Sequence, residues 1–342
     1  MNRRNVLKSL SVAPLLGVAA PQIIPLVFKP NRLKAGDTIA IVGPAAPAYD
    51  REQVQITIES LEALGLKVMV GKHIFDRYGY LAGRDADRAS DLNEAFGNPN
   101  VQAIIAMHGG WGCARILPLL DYSLIQKNPK PLLGYSDITA LLLGIHAKTG
   151  LVTFHGPEGA ATWNEFTVNY LRKVLFDGEA LLMENPKNKE NLLVQVKDRT
   201  TTLVKGKASG KLIGGNLTVL CHIIGSPYLP DFKDKILFVE DVHENIYSMD
   251  RMLTHLKLSG NLDKIAGFVF GKCTDCEPGS GYGSLTLWDI FDDHIVPLKK
   301  PAFTGAMIGH IKDKFTVPLG IEAEIDADLG TIRLLESAVL SN

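Results

Sequence analysis

Residues 37 to 70 read DTIAIVGPAAPAYDREQVQITIESLEALGLKVMV, and two periodicities alternate within them. DTIAIV is a short β-branched run that stops in the loop GPAAP (43 to 47), which predicts a buried strand and its turn. VQITIESLEALGLKVMV (54 to 70) then places apolar residues at helical spacing, stops at Gly65 and begins a second apolar run. The unit is strand, helix, strand. It repeats downstream. DRASDLNEAFGNPN (87 to 100) predicts an amphipathic helix and VQAIIAM (101 to 107) a strand. HGGWGCARILPLLD (108 to 121) is a Gly-rich turn opening a helix, PLLGYSD (131 to 137) another strand, and DITALLLGIHAKTG (137 to 150) another amphipathic helix. Strands alternating with helices at this spacing imply an α/β fold with a parallel sheet covered on both faces. Ligands on such sheets gather at the carboxyl ends of the strands, so the loops at 43 to 47, 108 to 112 and 134 to 137 should share one rim.

From about residue 158 the chain changes character, and ENPKNKENLLVQVKDRTT is polar and charged. The expected organisation is a leader over 1 to 30, an α/β domain over 31 to 165, a linker over 166 to 205 and a smaller β/α domain over 206 to 342. In that last part GKLIGGNLTVLCHIIGS, KILFVEDVHE, IAGFVFGKCTD and TVPLGIEAEIDADLGTIRLLE are mostly strand-like, and two helices are expected.

The chain has 342 residues, 46% of them hydrophobic, so it can bury a substantial core. Its 36 basic and 37 acidic side chains leave a formal charge of -1, which provides no field for nucleic acid or an anionic membrane. The first residues, MNRRNVLKSLSVAPLLGVAAPQ, put Arg3, Arg4 and Lys8 ahead of an apolar run too short to span a bilayer. That is signal-peptide architecture, and the order of its residues resembles the twin-arginine export pattern. An exported, periplasmic protein is expected, or a cytoplasmic one if the leader is not functional. Four cysteines are present, of which only Cys273 and Cys276 form a close pair. One C-x-x-C without a second ligand pair is a weak zinc signal, so a local disulfide or two buried thiols is expected, with no metal.

Ser136 lies between a strand and a helix in Gly134-Tyr135-Ser136-Asp137. A tight turn there can expose a serine Oγ while the free amides of the helix start face a developing negative charge. The second glycine of the usual elbow is missing, however, and serine and aspartate are preferred helix caps. Taken alone, the motif reads first as a cap. A nucleophile needs a base and a group that orients the base. Among nine histidines, His108, His155 and His310 stand out by context, and Glu240 ends the apolar strand KILFV. Gly109, Gly110 and Gly112 permit close backbone approach, so HGGWG can supply an oxyanion donor opposite the Asp137 amide. No nucleotide-binding glycine pattern accompanies it.

Taken in order, IAIVGPAAP, GYLAGRDADRASDLNEAFGNPNVQAIIAMHGGWGCARILPLLD, GYSDITALLLGIHAKTGLVTFHGP, GKLIGGNLTVL, GSPYLPD, ILFVEDVHENIYSMDRML and GHIKDKFTVPLG resemble the LD-carboxypeptidases (muramoyltetrapeptide carboxypeptidases), a family that includes the microcin-immunity peptidases. The resemblance runs from about Ala35 to Ile332. It implies a flavodoxin-like N-terminal domain, a smaller swivelling β/β/α C-terminal domain and a homodimer. It also implies a serine carboxypeptidase that needs no cofactor or metal, with Ser136 as nucleophile, Glu240 as orienting carboxylate and His310 as base. The oxyanion donors would be the backbone amides of Asp137 and Gly110. The partner would be a small peptide, a murein tetrapeptide cleaved before its terminal D-alanine or another peptide conjugate. Its free carboxylate calls for a cationic or amide-rich pocket, for which His108, Trp111, Arg84 and Arg115 are candidates. His108 itself departs from the family pattern, which commonly has arginine before the two glycines. An exported solute-binding protein would also have two lobes and a leader, but has no reason to assemble that triad.

Overall fold

A computed structural model describes residues 27–278 and 283–341. The leader motif of residues 1 to 22 lies outside the described residues. The first half runs β1 (Thr38–Val42), α1 (Arg51–Ala63), β2 (Lys67–Val70), α2 (Asp85–Gly97), β3 (Ala103–Ala106), α3 (Cys113–Ile116), α4 (Tyr122–Lys127), β4 (Leu132–Gly134), α5 (Thr139–Thr149) and β5 (Thr153–His155). These five strands pair in parallel in the order β2-β1-β3-β4-β5. That is the flavodoxin-like order, whose switch point lies between β1 and β3. The rim expected from the sequence forms there: the Ala46 amide after β1 donates to Gly109 O after β3 at 3.1 Å.

One helix differs from expectation. The run TALLLGIHAKT is not amphipathic in place: Thr139 through His146 are all buried. The physical reason is that α5 packs on β4 and β5 and, on another side, on a strand of the second sheet. A helix with no solvent face is apolar all round, and its polar side chains must bond internally. Thr149 donates to Ile145 O at 2.6 Å, and the His146 ring bonds Leu151 O at 2.9 Å.

The remainder runs α6 (Glu165–Arg172), β6 (Leu182–Met183), β7 (Thr201–Val204), β8 (Lys207–Asn216), α7 (Leu217–His222), β9 (Ile236–Val242), α8 (Ile246–Leu258), β10 (Gly267–Thr274), α9 (Leu287–His294), β11 (Ala302–Thr304), β12 (Val317–Leu319), β13 (Glu322–Asp326) and β14 (Thr331–Leu334). The second sheet has the order β6-β14-β13-β8-β9-β10-β11-β7, with β8 to β11 parallel at its centre. Three features refine the sequence reading. Residues 166 to 205, expected as a linker, contain β6 and β7, which form the two edges of this sheet. Edge strands are half solvated, so they tolerate the polar composition that masked them. Where two helices were expected, the described residues hold α7, α8 and α9, and LTVLCH folds as α7 directly after β8. Finally, β12 leaves the second half and pairs antiparallel with β5, Val317 opposite His155, as a sixth strand of the first sheet. Pro318 fits there because an edge strand need not donate from every residue.

Cys273 and Cys276 form a disulfide at the end of β10, and Cys113 and Cys221 are buried thiols. Among the described residues no helix is long and apolar enough to cross a membrane.

Candidate active site

β4 delivers the chain to Ser136, whose φ is +60°. Left-handed backbone at a residue other than glycine costs about 1–2 kcal/mol, so the surrounding structure must hold it there. A single 3-10 turn, Ser136–Ile138, then opens into α5. The cap reading of this turn does not survive, because no side chain caps this helix start. Asp137 instead turns its carboxylate to the next loop and accepts from the Cys113 amide at 2.8 Å, tying the elbow to the start of α3.

The Gly-rich loop fits against the serine. A Cβ on Gly109 would lie 2.6 Å from Ser136 Cβ and 2.8 Å from its Oγ. Gly110 has φ +120°, and a Cβ there would meet Ala46 Cβ at 2.7 Å. Only glycine allows the 109–110 backbone so close to the hydroxyl. Arg88, which the sequence reading passed over, fixes this loop from behind. Its guanidinium is buried, pairs with Asp85 at 2.6 Å, and donates to Gly112 O at 3.1 Å and to Pro44 O.

The base arrives from the other half of the chain. Glu240, fully buried on β9, accepts a 2.8 Å hydrogen bond from His310 Nδ1. A carboxylate is acceptor-only, so Nδ1 carries the proton and Nε2 is the atom left to face a hydroxyl. The His310 ring also packs edge-on against Tyr135, with centroids 4.8 Å apart. Burial pulls the imidazole pKa down, but the hydrogen bond and charge of Glu240 outweigh it and hold it above the ordinary histidine value. Ser136 and His310 line one cavity of about 250 Å³. The one hydrogen bond of the His310 ring among the described residues is that to Glu240, and catalytic hydrogen bonds to the nucleophile often tighten only when substrate is in place.

The other expected site residues divide. His108 and Gly110 line the cavity, and burial lowers the His108 pKa. Trp111 is 64% exposed and meets Tyr80 edge-on outside it. Arg84 lies 3.9 Å over the Tyr78 ring, and Arg115 pairs with Asp85 at 2.8 Å; neither lines the cavity. His155 is buried beneath Tyr135 and Phe238, and burial lowers its pKa to about 4, so it is neutral. Other residues of the site were missed, Tyr49 and Tyr135 among them. Gln53 and Glu158 line the cavity, and Lys314 is buried over the Tyr135 ring at 4.7 Å. The signal for Glu158 was present in FHGPEG: an acid in a Gly-Pro turn just after a strand, on the rim already identified. A larger cavity, about 340 Å³, lies against Asn185, Asp198 and Arg199, and none of the site residues lines it.

Comparison with known proteins bears on what this arrangement does. The LD-carboxypeptidase N-terminal domain matches residues 39–156, and the LD-carboxypeptidase C-terminal domain matches residues 209–325. The chain is 39% identical over 304 residues to a Bacillus subtilis protein named probable murein peptide carboxypeptidase, covering 89% of this chain and 93% of that one. The chain belongs to the LD-carboxypeptidase family. As a family member it is a serine peptidase, a hydrolase. This LD-carboxypeptidase is also 32% identical to the microcin C7 self-immunity protein MccF of Escherichia coli, over 91% of this chain and 96% of that one. A solved structure of MccF in complex with aspartyl sulfamoyl adenosine superimposes with a TM-score of 0.83 at 30% identity, covering 92% of this chain and 100% of that one. The muramoyltetrapeptide carboxypeptidase of Oxalobacter formigenes superimposes with a TM-score of 0.74 at 30% identity, covering 87% and 97%.

Proposed function

We propose that this LD-carboxypeptidase hydrolyses the peptide bond before the C-terminal D-alanine of murein tetrapeptides, with Ser136, His310 and Glu240 as its triad. The carrying observation is the Glu240 to His310 hydrogen bond at 2.8 Å, on the same cavity as a serine held at φ +60°. His310 Nε2 takes the Ser136 proton as Oγ attacks the carbonyl carbon, and the buried Glu240 carboxylate stabilises the imidazolium. The amides of Asp137 and Gly110 receive the oxyanion. Collapse breaks the C–N bond, His310 gives its proton to the leaving amine, and water then hydrolyses the acyl-enzyme by the same route. The test is incubation of the purified protein with L-Ala-γ-D-Glu-diamino acid-D-Ala, comparing Ser136→Ala. Loss of D-alanine release by about 10⁴-fold or more is expected. Release undiminished in the variant would overturn the nucleophile.

The likeness to MccF, at 32% identity, supports a second reading in which the same triad cleaves another peptide conjugate. Parallel assays with the tetrapeptide and an aminoacyl sulfamoyl nucleoside separate the two by kcat/KM. We also propose that the protein is exported through the twin-arginine route and works in the periplasm as a homodimer. The leader sequence supports export, as does the local disulfide, a bond that persists in oxidising compartments. Fractionation of cells and light scattering of the purified protein check these two points.

A further inference from the structure

The proposed reaction brings a free carboxylate into the cavity, and among the described residues no arginine or lysine lines that cavity. Glu158 is the one acid among the residues lining it. Glu158 is 8% exposed, and its Oε2 is a buried oxygen without a hydrogen-bond partner. A buried polar atom left unpaired in a native fold calls for a partner absent from the protein itself.

We propose that Glu158 is the specificity residue with which this enzyme recognises its peptide's terminal carboxylate, as a carboxylic acid that hydrogen-bonds it. This rests on the carboxypeptidase reading above. The backbone fixes Glu158 in place. After β5 the chain crosses the ends of β4 and β3: the Gly156 amide donates to Gly134 O at 3.1 Å, the Gly159 amide to Ala106 O at 2.8 Å and the Ala160 amide to Met107 O at 3.1 Å. Between those anchors Glu158 shares the cavity with Ser136, His310 and Gly109.

The surroundings keep it protonated. Burial raises its pKa to about 8, against lowering by the Gly109 amide, His310 and Lys314, while Glu240 raises it further. Of the other ionisable groups on the cavity wall, Tyr135 is itself pushed upward by burial and His108 downward, which favours the neutral form of each. A neutral carboxyl donates to a carboxylate in a short, charge-assisted bond, whereas two ionised carboxylates at one site repel. One proton held between Glu158 and the substrate therefore does the work expected of a cation. Loss of that proton ejects the substrate.

The experiment measures KM and kcat from pH 6 to 10 for two peptides, one ending in D-alanine and one in D-alaninamide, with the unmodified enzyme and Glu158→Gln. In the unmodified enzyme KM for the carboxylate peptide should climb about tenfold per pH unit above about pH 8, with kcat level and KM for the amide flat. Glu158→Gln, which stays a neutral donor, should abolish the climb. Persistence of the climb in Glu158→Gln, as titration of Lys314 would give, overturns the proposal. So does an equal climb for the amide peptide, which needs no variant to observe. Turnover by Ser136→Ala equal to that of the unmodified enzyme overturns the triad alone and leaves the Glu158 result readable. Absence of D-alanine release by the unmodified enzyme at every pH overturns both readings.

Discussion

His310 is where the electrostatics of the site become measurable. Its net pKa lies above the ordinary histidine value, because the hydrogen bond and charge of Glu240 outweigh burial. A general base must be neutral to accept a proton, so activity requires pH above that raised pKa. We expect kcat/KM to fall on the acid side through a pKa above the usual imidazole range. Glu240→Gln removes the charge that favours imidazolium, so this limb should shift to lower pH while kcat drops. A pH–rate profile that moves the opposite way in the variant would count against the pairing. Residues such as Glu240 and His310 were legible in the sequence because a charged or titratable group at the end of an apolar strand, or in a Gly-bracketed loop, is conspicuous. Arg84 and Arg115 were conspicuous too, yet Arg84 stacks over Tyr78, Arg115 pairs with Asp85, and neither lines the cavity. Sequence shows which charges exist, and only packing shows which remain free.

At the scale of the element, the catalytic geometry depends on two loops held in contact. Gly109 touches Ser136, so Gly109→Ala must move either the loop or the hydroxyl. A displacement of about 1 Å can cost about 10²-fold in rate, and we expect kcat for D-alanine release to fall by that order with the unfolding midpoint little changed. Equal kcat in the variant would show that the loop is not part of the oxyanion site. Asp137→Ala removes the bond to the Cys113 amide, which is the start of α3 rather than of the helix Asp137 itself precedes. Loss of a cap of this kind costs about 0.5–2 kcal/mol, read as a shift in the urea midpoint. The sequence announced a cap at Ser136-Asp137 correctly in kind and wrongly in place. Local patterns specify that an aspartate seeks an amide, while the amide it finds lies 24 positions away in the chain.

For the whole molecule, β12 joins the two sheets, and α5 lies between them with its Thr139 Oγ1 accepting from the Asn216 amide at 3.0 Å. One continuous apolar core includes residues of both halves, Leu141 and Phe154 with Leu212 and Phe238. We therefore expect a single cooperative thermal transition, and two resolved calorimetric peaks would contradict it. Glu158 adds a pH dependence. The folded protein keeps its proton up to about pH 8, whereas the unfolded chain releases it near 4.5. The native state thus binds more protons between those values, so stability falls as pH rises across that window and is level above it. Glu158→Gln has no such proton, and its stability relative to the unmodified protein should improve from pH 5 to pH 9 in denaturant titrations.

The sequence by itself determined the alternation of strands and helices over residues 37 to 155, the rim on which the loops meet and the three residues of the proposed triad. Those follow from periodicity, from turn residues and from a resemblance carried by short ordered motifs, all of which are local in the chain. Tertiary structure decided the rest. It sent β12 back to the first sheet, drew β6 and β7 out of an apparent linker to the sheet edges, buried α5 from Thr139 through His146, and left Glu158 rather than an arginine facing the substrate cavity. Each depends on which distant backbone or charge a segment meets when the core closes, and burial, unlike propensity, belongs to the assembled molecule.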